Sequence, residues 1–410
     1  MNKAMNGERP QMNAPTRNIF EGLRILDLTR VMSGPYCTAM FADLGADVVK
    51  VELPGVGEEA RFFAPHVDGE STYFALLNRG KKSVTINLKS ARGIELVRDL
   101  ARQSDVLIEN FRPGVMDRLG LDHASLAAVN PRLIYASISG FGQDGPYRDW
   151  PAFDLVIQAM SGLMSITGEK DGRAMAVGES VADVATGMFA AFGVAGALYD
   201  REQTGKGRRL EVAMLDSVFS MLLTSLSRQL FTDRKPGRAG NRHPETYPVD
   251  SFATADGVVV LVGFTDATVA RILGVIGRPE LAADPRFQGN AARNAHEAEL
   301  RALIAGWTGS RPRAEVLRVL READVPTAPV WSFDELFASG HVEARELVRP
   351  GTNSILGDIR VVPQPVKFAA VPPYPTPRSP TLGEDTDAVL AERLGLGAGE
   401  IAALRAAKVI

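Results

Sequence analysis

A chain of 410 residues exceeds one ordinary core, and two or three domains of roughly 100–200 residues each are expected. Apolar residues at 45% and charged residues at 23% describe a globular protein, and a net charge of −3 excludes a general nucleic-acid binder, which needs a strongly basic surface. A single cysteine, Cys37, rules out an intrachain disulfide, and five scattered histidines give no zinc-type spacing, so no metal is expected.

In chain order, residues 1–18 form a polar tail without the apolar stretch of a signal peptide. From there strands and helices alternate. Leu23–Leu28 is a short apolar run, Tyr36–Leu44 a helix that stops at Gly45, and Ala46–Glu52 a second strand. Val84–Leu88 is a strand, Ala91–Gln103 a helix, and Asp105–Glu109 and Arg132–Ser137 two further strands. This alternation predicts a parallel sheet covered on both faces. Val181–Tyr199 is an apolar helix rich in Gly and Ala, suited to close helix packing. Its most apolar stretch, Ala185 to Tyr199, falls short of the roughly 20 residues of a membrane span. Neither membrane nor nucleic acid is expected as a partner, and the expected setting is cytoplasmic.

Leu215–Leu230 reads as one more buried helix, suited to packing against a second subunit. Thr232–Asp250 is a polar loop rich in Arg and Pro. Beyond it, the strand Val258–Val262 and helices around Ala267–Ile276, Ala291–Trp307 and Arg313–Arg321 describe a smaller domain. A proline-rich stretch with a strand at Ile359–Val362 and a helix at Ala398–Lys408 close the chain. The expected organisation is a tail at 1–18, a large domain at 19–230, a linker at 231–250, a small domain at 251–338, and a return to the large domain at 339–410.

Two glycine patterns mimic a dinucleotide fingerprint. Gly140-Phe-Gly142-Gln-Asp-Gly145 follows a strand, but Pro-Tyr-Arg-Asp-Trp-Pro comes next and cannot be the helix the fingerprint requires. Gly55-Val-Gly57-Glu-Glu-Ala60 opens no clear helix either. Asn110-Phe-Arg-Pro-Gly114 stands at the end of a strand, where ligands of open α/β sheets sit. Asn110 suits an adenine edge or phosphate, Phe111 a stacked ring, and Arg112 and Arg118 suit phosphates. A plain strand-to-helix turn explains the same residues. Asn78-Arg-Gly-Lys-Lys-Ser83 is either a phosphate cradle or a solvated charged turn.

Asp183 opens the apolar helix. Ser180 and Asp183 have capping-box spacing, and an aspartate in a first helical turn is stabilised by the helix dipole. A structural cap therefore accounts for it. The same place also suits a carboxylate nucleophile at the edge of an apolar pocket.

Taken together, several segments resemble the class III (family III) coenzyme A transferases. They are Leu26-Asp-Leu-Thr-Arg-Val-Met-Ser-Gly-Pro35, Leu44-Gly-Ala-Asp-Val-Val-Lys-Val-Glu52, Asn78-Arg-Gly-Lys-Lys-Ser83 and Glu109-Asn-Phe-Arg-Pro-Gly114. Ile138-Ser-Gly-Phe-Gly-Gln-Asp-Gly-Pro146, Thr204-Gly-Lys-Gly207, Gly240-Asn-Arg-His243 and Leu382-Gly-Glu-Asp385 follow in order.

The resemblance implies an α/β fold with a Rossmann-like large domain, a smaller α+β domain and an interlocked homodimer. It implies Asp183 as the catalytic residue. Val31, Ser33, Leu77, Asn78, Lys81, Asn110, Phe111, Arg112, Arg118, Ala152 and Phe153 would hold coenzyme A. Met32, Gly140, Gln143, Arg242 and His243 would face the acid. Coenzyme A enters as the acyl-CoA substrate, with no tightly bound cofactor, and a carboxylic acid accepts it. Relatives that racemise 2-methylacyl-CoA carry His before the position of Asp154. Here Phe153 stands there and cannot move a proton, which favours transfer. Met32 and the loop from Gly240 to Pro248 depart from the formyl-CoA:oxalate pattern, and Arg242 and His243 instead suit the carboxylate of a larger acid. Besides transfer, a racemase or intramolecular isomerase and a non-catalytic CoA-binding protein stay open.

Overall fold

In the first strands, alternate residues point to opposite faces, and both sets are apolar. That is the signature of a sheet buried on both sides. A computed structural model describes residues 17–369, 371 and 376–410. The expected tail at 1–18 lies almost wholly outside the described residues.

Six parallel strands form the main sheet: β1 (Arg24–Asp27), β2 (Asp47–Glu52), β3 (Lys81–Thr85), β4 (Val106–Glu109), β5 (Ile134–Ser139) and β6 (Arg209–Ala213), in the order β3-β2-β1-β4-β5-β6. Ile25, Val48, Val106 and Ile134 pack on one face with Cys37, Phe41 and Val194. Leu26, Val49, Val84 and Leu107 pack on the other with Leu96, Val389 and Ile401. The C-terminal segment thus completes the sheet's second face. It is stitched there by Asp385, whose carboxylate accepts the Ser83 N–H, and by Thr386, whose hydroxyl accepts that of Thr85.

The helices that matter here are α1 (Ser33–Ala42), α2 (Ala91–Arg102), α3 (Val115–Leu119), α4 (Asp154–Met160) and α5 (Val181–Thr204). At 24 residues, α5 is long and apolar enough to cross a membrane, so length alone does not exclude a span as the sequence suggested. Half of its apolar window is buried, however, and its Arg201 pairs with Asp105 beside the sheet at 3.0 Å, which is the packing of a core helix. Close approach is the work of Gly187. A Cβ there would sit 2.7 Å from the Ser33 carbonyl oxygen of α1.

By contacts the chain forms two units. The first comprises the chain up to Gly162, Val177–Leu223 and Glu346–Ile410; the second comprises Leu163–Ala176 and Thr224–Arg345. An antiparallel sheet of Val249–Thr254, Gly257–Val262 and Thr327–Pro329 lies in the second, with Tyr247, Phe252, Leu261, Ile272 and Ile304 in its core. The segment expected as a linker therefore contributes a buried tyrosine and the first two residues of a strand. The expected helix Leu215–Leu230 is two, Met214–Met221 and Leu223–Phe231, and the expected Ala291–Trp307 breaks at His296. Strand β6 was not anticipated: it is a five-residue edge strand that opens on exposed Arg209.

Candidate active site

The turn from β1 into α1 forms one side of a cleft of about 370 Å³ in the first unit. Val31 has φ +66°, a left-handed conformation that a β-branched residue adopts only under constraint. The constraint is visible. The Asn110 side chain accepts the Arg30 N–H at 2.9 Å and donates to the Arg30 carbonyl at 2.8 Å. The Glu58 carboxylate accepts the Val31 N–H at 2.9 Å. Glu58 in turn lies 3.4 Å from the buried Lys50 ammonium. Burial alone would lower the Lys50 pKa, but the Glu58, Asp27 and Glu52 carboxylates outweigh it and hold it above its ordinary value.

Asp183, on the first turn of α5, is 8% exposed and lines this cleft. Burial pushes its carboxyl up to about 6, and the neighbouring Asp154 carboxylate adds to the rise. The hydroxyl and backbone N–H of Ser33, at the start of α1, hydrogen-bond to Asp183 and oppose it. Ser180 makes no side-chain cap, which corrects the capping-box reading. The cap comes from α4. The Asp154 carboxylate accepts the N–H of Ala182 at 2.7 Å and of Asp183 at 3.3 Å. Gln158 steadies Asp154 from the next turn at 2.5 Å. The Asp183 side chain is thereby left out of the capping and faces the cleft.

A loop from Phe141 to Phe153 forms another wall. Ala152 packs directly on Gly140, where a Cβ would come within 2.2 Å of the alanine methyl. Phe141, Tyr147 and Trp150 cluster, with the Tyr147 and Trp150 rings 4.7 Å apart. Phe153 is 62% exposed. Tyr73 also faces the carboxylates. Burial, then Asp183, Glu179, Glu58 and Asp154, push its phenol up to about 12, so it stays protonated as a donor.

The structure brings Val31, Ser33, Asn110, Phe111, Arg112, Gly140, Ala152, Phe153 and Asp183 to this one cleft. Asn110 is engaged with the Arg30 backbone rather than free for an adenine edge. Leu77, Asn78 and Lys81 are absent from the cleft's lining and are buried. The Lys81 ammonium donates to Asp27 at 3.0 Å, to Asn78 at 2.7 Å and to the Pro35 carbonyl at 2.9 Å. The segment is thus neither a phosphate cradle nor a solvated turn, because β3 carries its lysine into the interior beside Asp27. Met32 is buried at the N-cap of α1, Arg118 is exposed on α3 and Gln143 is half-buried; none of the three lines the cleft.

Arg242 and His243 lie in the second unit. Arg242 pairs with Glu297 at 2.7 Å and donates to Asn294 and the His243 carbonyl. The His243 Nδ1 accepts the backbone N–H groups of Glu245 and Thr246. The Gly142 N–H is donated to the Ser139 hydroxyl at 3.0 Å. Residues the sequence did not single out include Arg30, Tyr73, Arg148, Trp150 and Met214. The spacing Asp154-Leu-Val-Ile-Gln158 was a usable signal for the cap, since residues four apart share a helix face.

The chain matches the description "CoA-transferase family III" over residues 20–386. It is 40% identical to an acetyl-CoA:oxalate CoA-transferase of Acetobacter aceti, over 92% of this chain and 97% of that one. It is 38% identical to a succinate–glutarate CoA-transferase of Agrobacterium fabrum, over 91% and 95%. The crystal structure of a CAIB/BAIF family protein from Brucella suis superposes with a TM-score of 0.82 at 35% identity, covering 92% of this chain and all of that one. With a sheet, a cleft and a buried carboxylate in keeping with these likenesses, the chain belongs to CoA-transferase family III.

Proposed function

We propose that this enzyme moves coenzyme A from an acyl-CoA to a free carboxylic acid, with Asp183 as the nucleophile and a dicarboxylate as at least one of the two acids. The observation that carries the reading is the Asp183 carboxylate itself. It is buried in a cleft, held by Ser33, and relieved of helix capping by Asp154. The relatives' names supply the acids, since oxalate and glutarate are both dicarboxylates.

The Asp183 oxygen attacks the thioester carbonyl, the C–S bond breaks, and CoA thiolate leaves an aspartyl–acyl anhydride. The thiolate attacks the Asp183 carbonyl carbon and expels the donor acid as its carboxylate, giving an aspartyl-CoA thioester. The acceptor carboxylate then displaces the thiolate at Asp183. The thiolate finally attacks the acceptor's acyl carbon and restores the Asp183 carboxylate. No net proton moves, and the thioester energy is conserved through each covalent step. Ser33 would hold the charge that develops on the Asp183 carbonyl oxygen. Phe111 and Arg112 would take the nucleotide end of coenzyme A, Arg112 by charge and the ring by stacking.

A homodimer is part of the proposal. Helix α5 exposes Phe192 (79%) and Tyr199 (73%), two turns apart on one face, with Phe189 beside them. An exposed aromatic stripe on a core helix calls for a cover, and a second copy is the occupant expected of this family. A reducing, cytoplasmic setting fits the single buried Cys37. Transfer is favoured over racemisation by Phe153, whose ring carries no transferable proton next to Asp154.

The test is Asp183→Asn and Asp183→Ala. Both variants are expected to fold and to lose turnover with every donor and acceptor pair. Substantial turnover in either overturns the assignment.

A further inference from the structure

The cleft carries three arginines, and they are not equivalent. Arg30 is the more engaged: its guanidinium pairs with Glu59 at 2.8 Å, between side chains 41% and 50% exposed, and lies 4.9 Å over the Phe111 ring. Arg112 follows Phe111 in the turn after β4 and lines the same cleft. Arg148 belongs to the other wall, in the loop with Trp150. Its Nε lies 3.4 Å from the carboxylate of its neighbour Asp149, between side chains 48% and 77% exposed. Such a pair holds almost nothing. The two terminal nitrogens of Arg148 form the fork that takes a carboxylate bidentately.

The loop that carries Arg148 is fixed at its C-terminal end. Ala152 is seated on Gly140, Trp150 packs at a tilt against Tyr147, and Asp154 is bonded to the start of α5, where Asp183 stands. Trp150 and the terminal nitrogens of Arg148 therefore line the same cleft as the nucleophile, on a loop tied to its helix, while Arg30 is held over Phe111.

Resting on the reading of Asp183 as the nucleophile, we propose that Arg148 sets acyl specificity. It receives the remote carboxylate of a dicarboxylyl group, whose carbon chain runs along Trp150 while its near carbonyl meets Asp183. The preferred acyl groups are then short dicarboxylyl chains rather than monocarboxylyl chains of the same length.

The experiment compares succinyl-CoA with butyryl-CoA as donors to one common acceptor, in the wild type, Arg148→Ala, Arg148→Lys and Trp150→Ala. Both donors carry the same coenzyme A, so any contact of Arg148 with the nucleotide cancels in the ratio of their kcat/KM values. The wild type is expected to favour succinyl-CoA. Arg148→Ala is expected to reduce that preference by on the order of 10–100-fold. Arg148→Lys should restore part of it, since the charge returns without the fork. Trp150→Ala should lower both donors and change the ratio little. The proposal is overturned by a wild-type ratio near one, by an unchanged ratio in Arg148→Ala, or by an equal fall in both donors. Asp183→Asn in the same assay separates the two readings. If it stays active, the nucleophile is wrong, whereas the Arg148 ratio is still read in the wild-type background.

Discussion

The Asp154 carboxylate accepts the backbone N–H of Asp183 at 3.3 Å and of Ala182 at 2.7 Å, so one aspartate caps helix α5 and leaves the next free to react. The arrangement has a second effect. Burial and the nearby Asp154 charge lift the Asp183 carboxyl to about 6. A less stabilised carboxylate is a stronger nucleophile, and above pH 6 it is still ionised.

The pH dependence follows. The nucleophile must be ionised, so kcat/KM for acyl-CoA is expected to fall on the acid side with an apparent pKa of about 6. Asp154→Asn keeps an acceptor for the cap but removes the charge. Its acid limb should move to lower pH, as read from kcat/KM between pH 4.5 and 8. An unmoved limb would disprove the electrostatic coupling of the two carboxylates.

Stability runs the opposite way from activity. Asp183 has a raised carboxyl, so between about pH 4 and 6 the native state binds more protons than the unfolded chain. Stability is therefore expected to fall as pH rises through that window, by at most roughly 3 kcal/mol. Asp183→Asn removes this titration. Urea midpoints at pH 4.5 and 7.5 should differ less in the variant than in the wild type, and at pH 7.5 the inactive variant should match or exceed the wild type.

Gly187→Ala tests the approach of α5 to α1. The new methyl would meet the Ser33 carbonyl at 2.7 Å and Tyr36 at 3.0 Å. Overpacking of this kind costs about 1–3 kcal/mol. The expected result is a lower urea midpoint together with a lower kcat, because Ser33 is moved off Asp183. Loss of stability with kcat intact would mean that Ser33 does not serve the reaction.

Lys81 and Arg112 should separate cleanly. Lys81→Met leaves Asp27 buried without its ammonium partner, and breaking such a pair costs about 3–5 kcal/mol. Arg112 is exposed, so Arg112→Ala should change stability by no more than about 0.5 kcal/mol while raising KM for acyl-CoA. Thermal melts and KM values read the two effects apart.

The dimer proposal is read by light scattering. Phe192→Glu combined with Tyr199→Glu places charge on the exposed stripe of α5 and should leave monomer or unassembled chain, whereas an unchanged dimer mass would place the interface elsewhere.

Much of the sheet was legible because its strands are short apolar runs and its helices have clear periods. Strand β6 was missed because an edge strand reading Arg-Leu-Glu-Val-Ala carries half the signal of a buried one. Lys81 was misread because both readings of its segment assumed exposure, and its partner Asp27 lies 54 residues away. The cap on α5 was misassigned for the same reason: Ser180 had the right spacing, while the true acceptor, Asp154, stood 28 residues before Ala182. Local pattern shows what a residue is suited to do; only the fold decides which of two suited residues does it.

A covalent bond to Asp183 forms in every turnover of this mechanism, and hydroxylamine traps it. The enzyme is mixed with an acyl-CoA and hydroxylamine, without an acceptor acid, then digested and mapped by mass spectrometry. A hydroxamate is expected on the peptide at Asp183, dependent on acyl-CoA and absent from Asp183→Asn. An unmodified Asp183 in enzyme that loses its activity to hydroxylamine, or the adduct on another carboxylate, would contradict it.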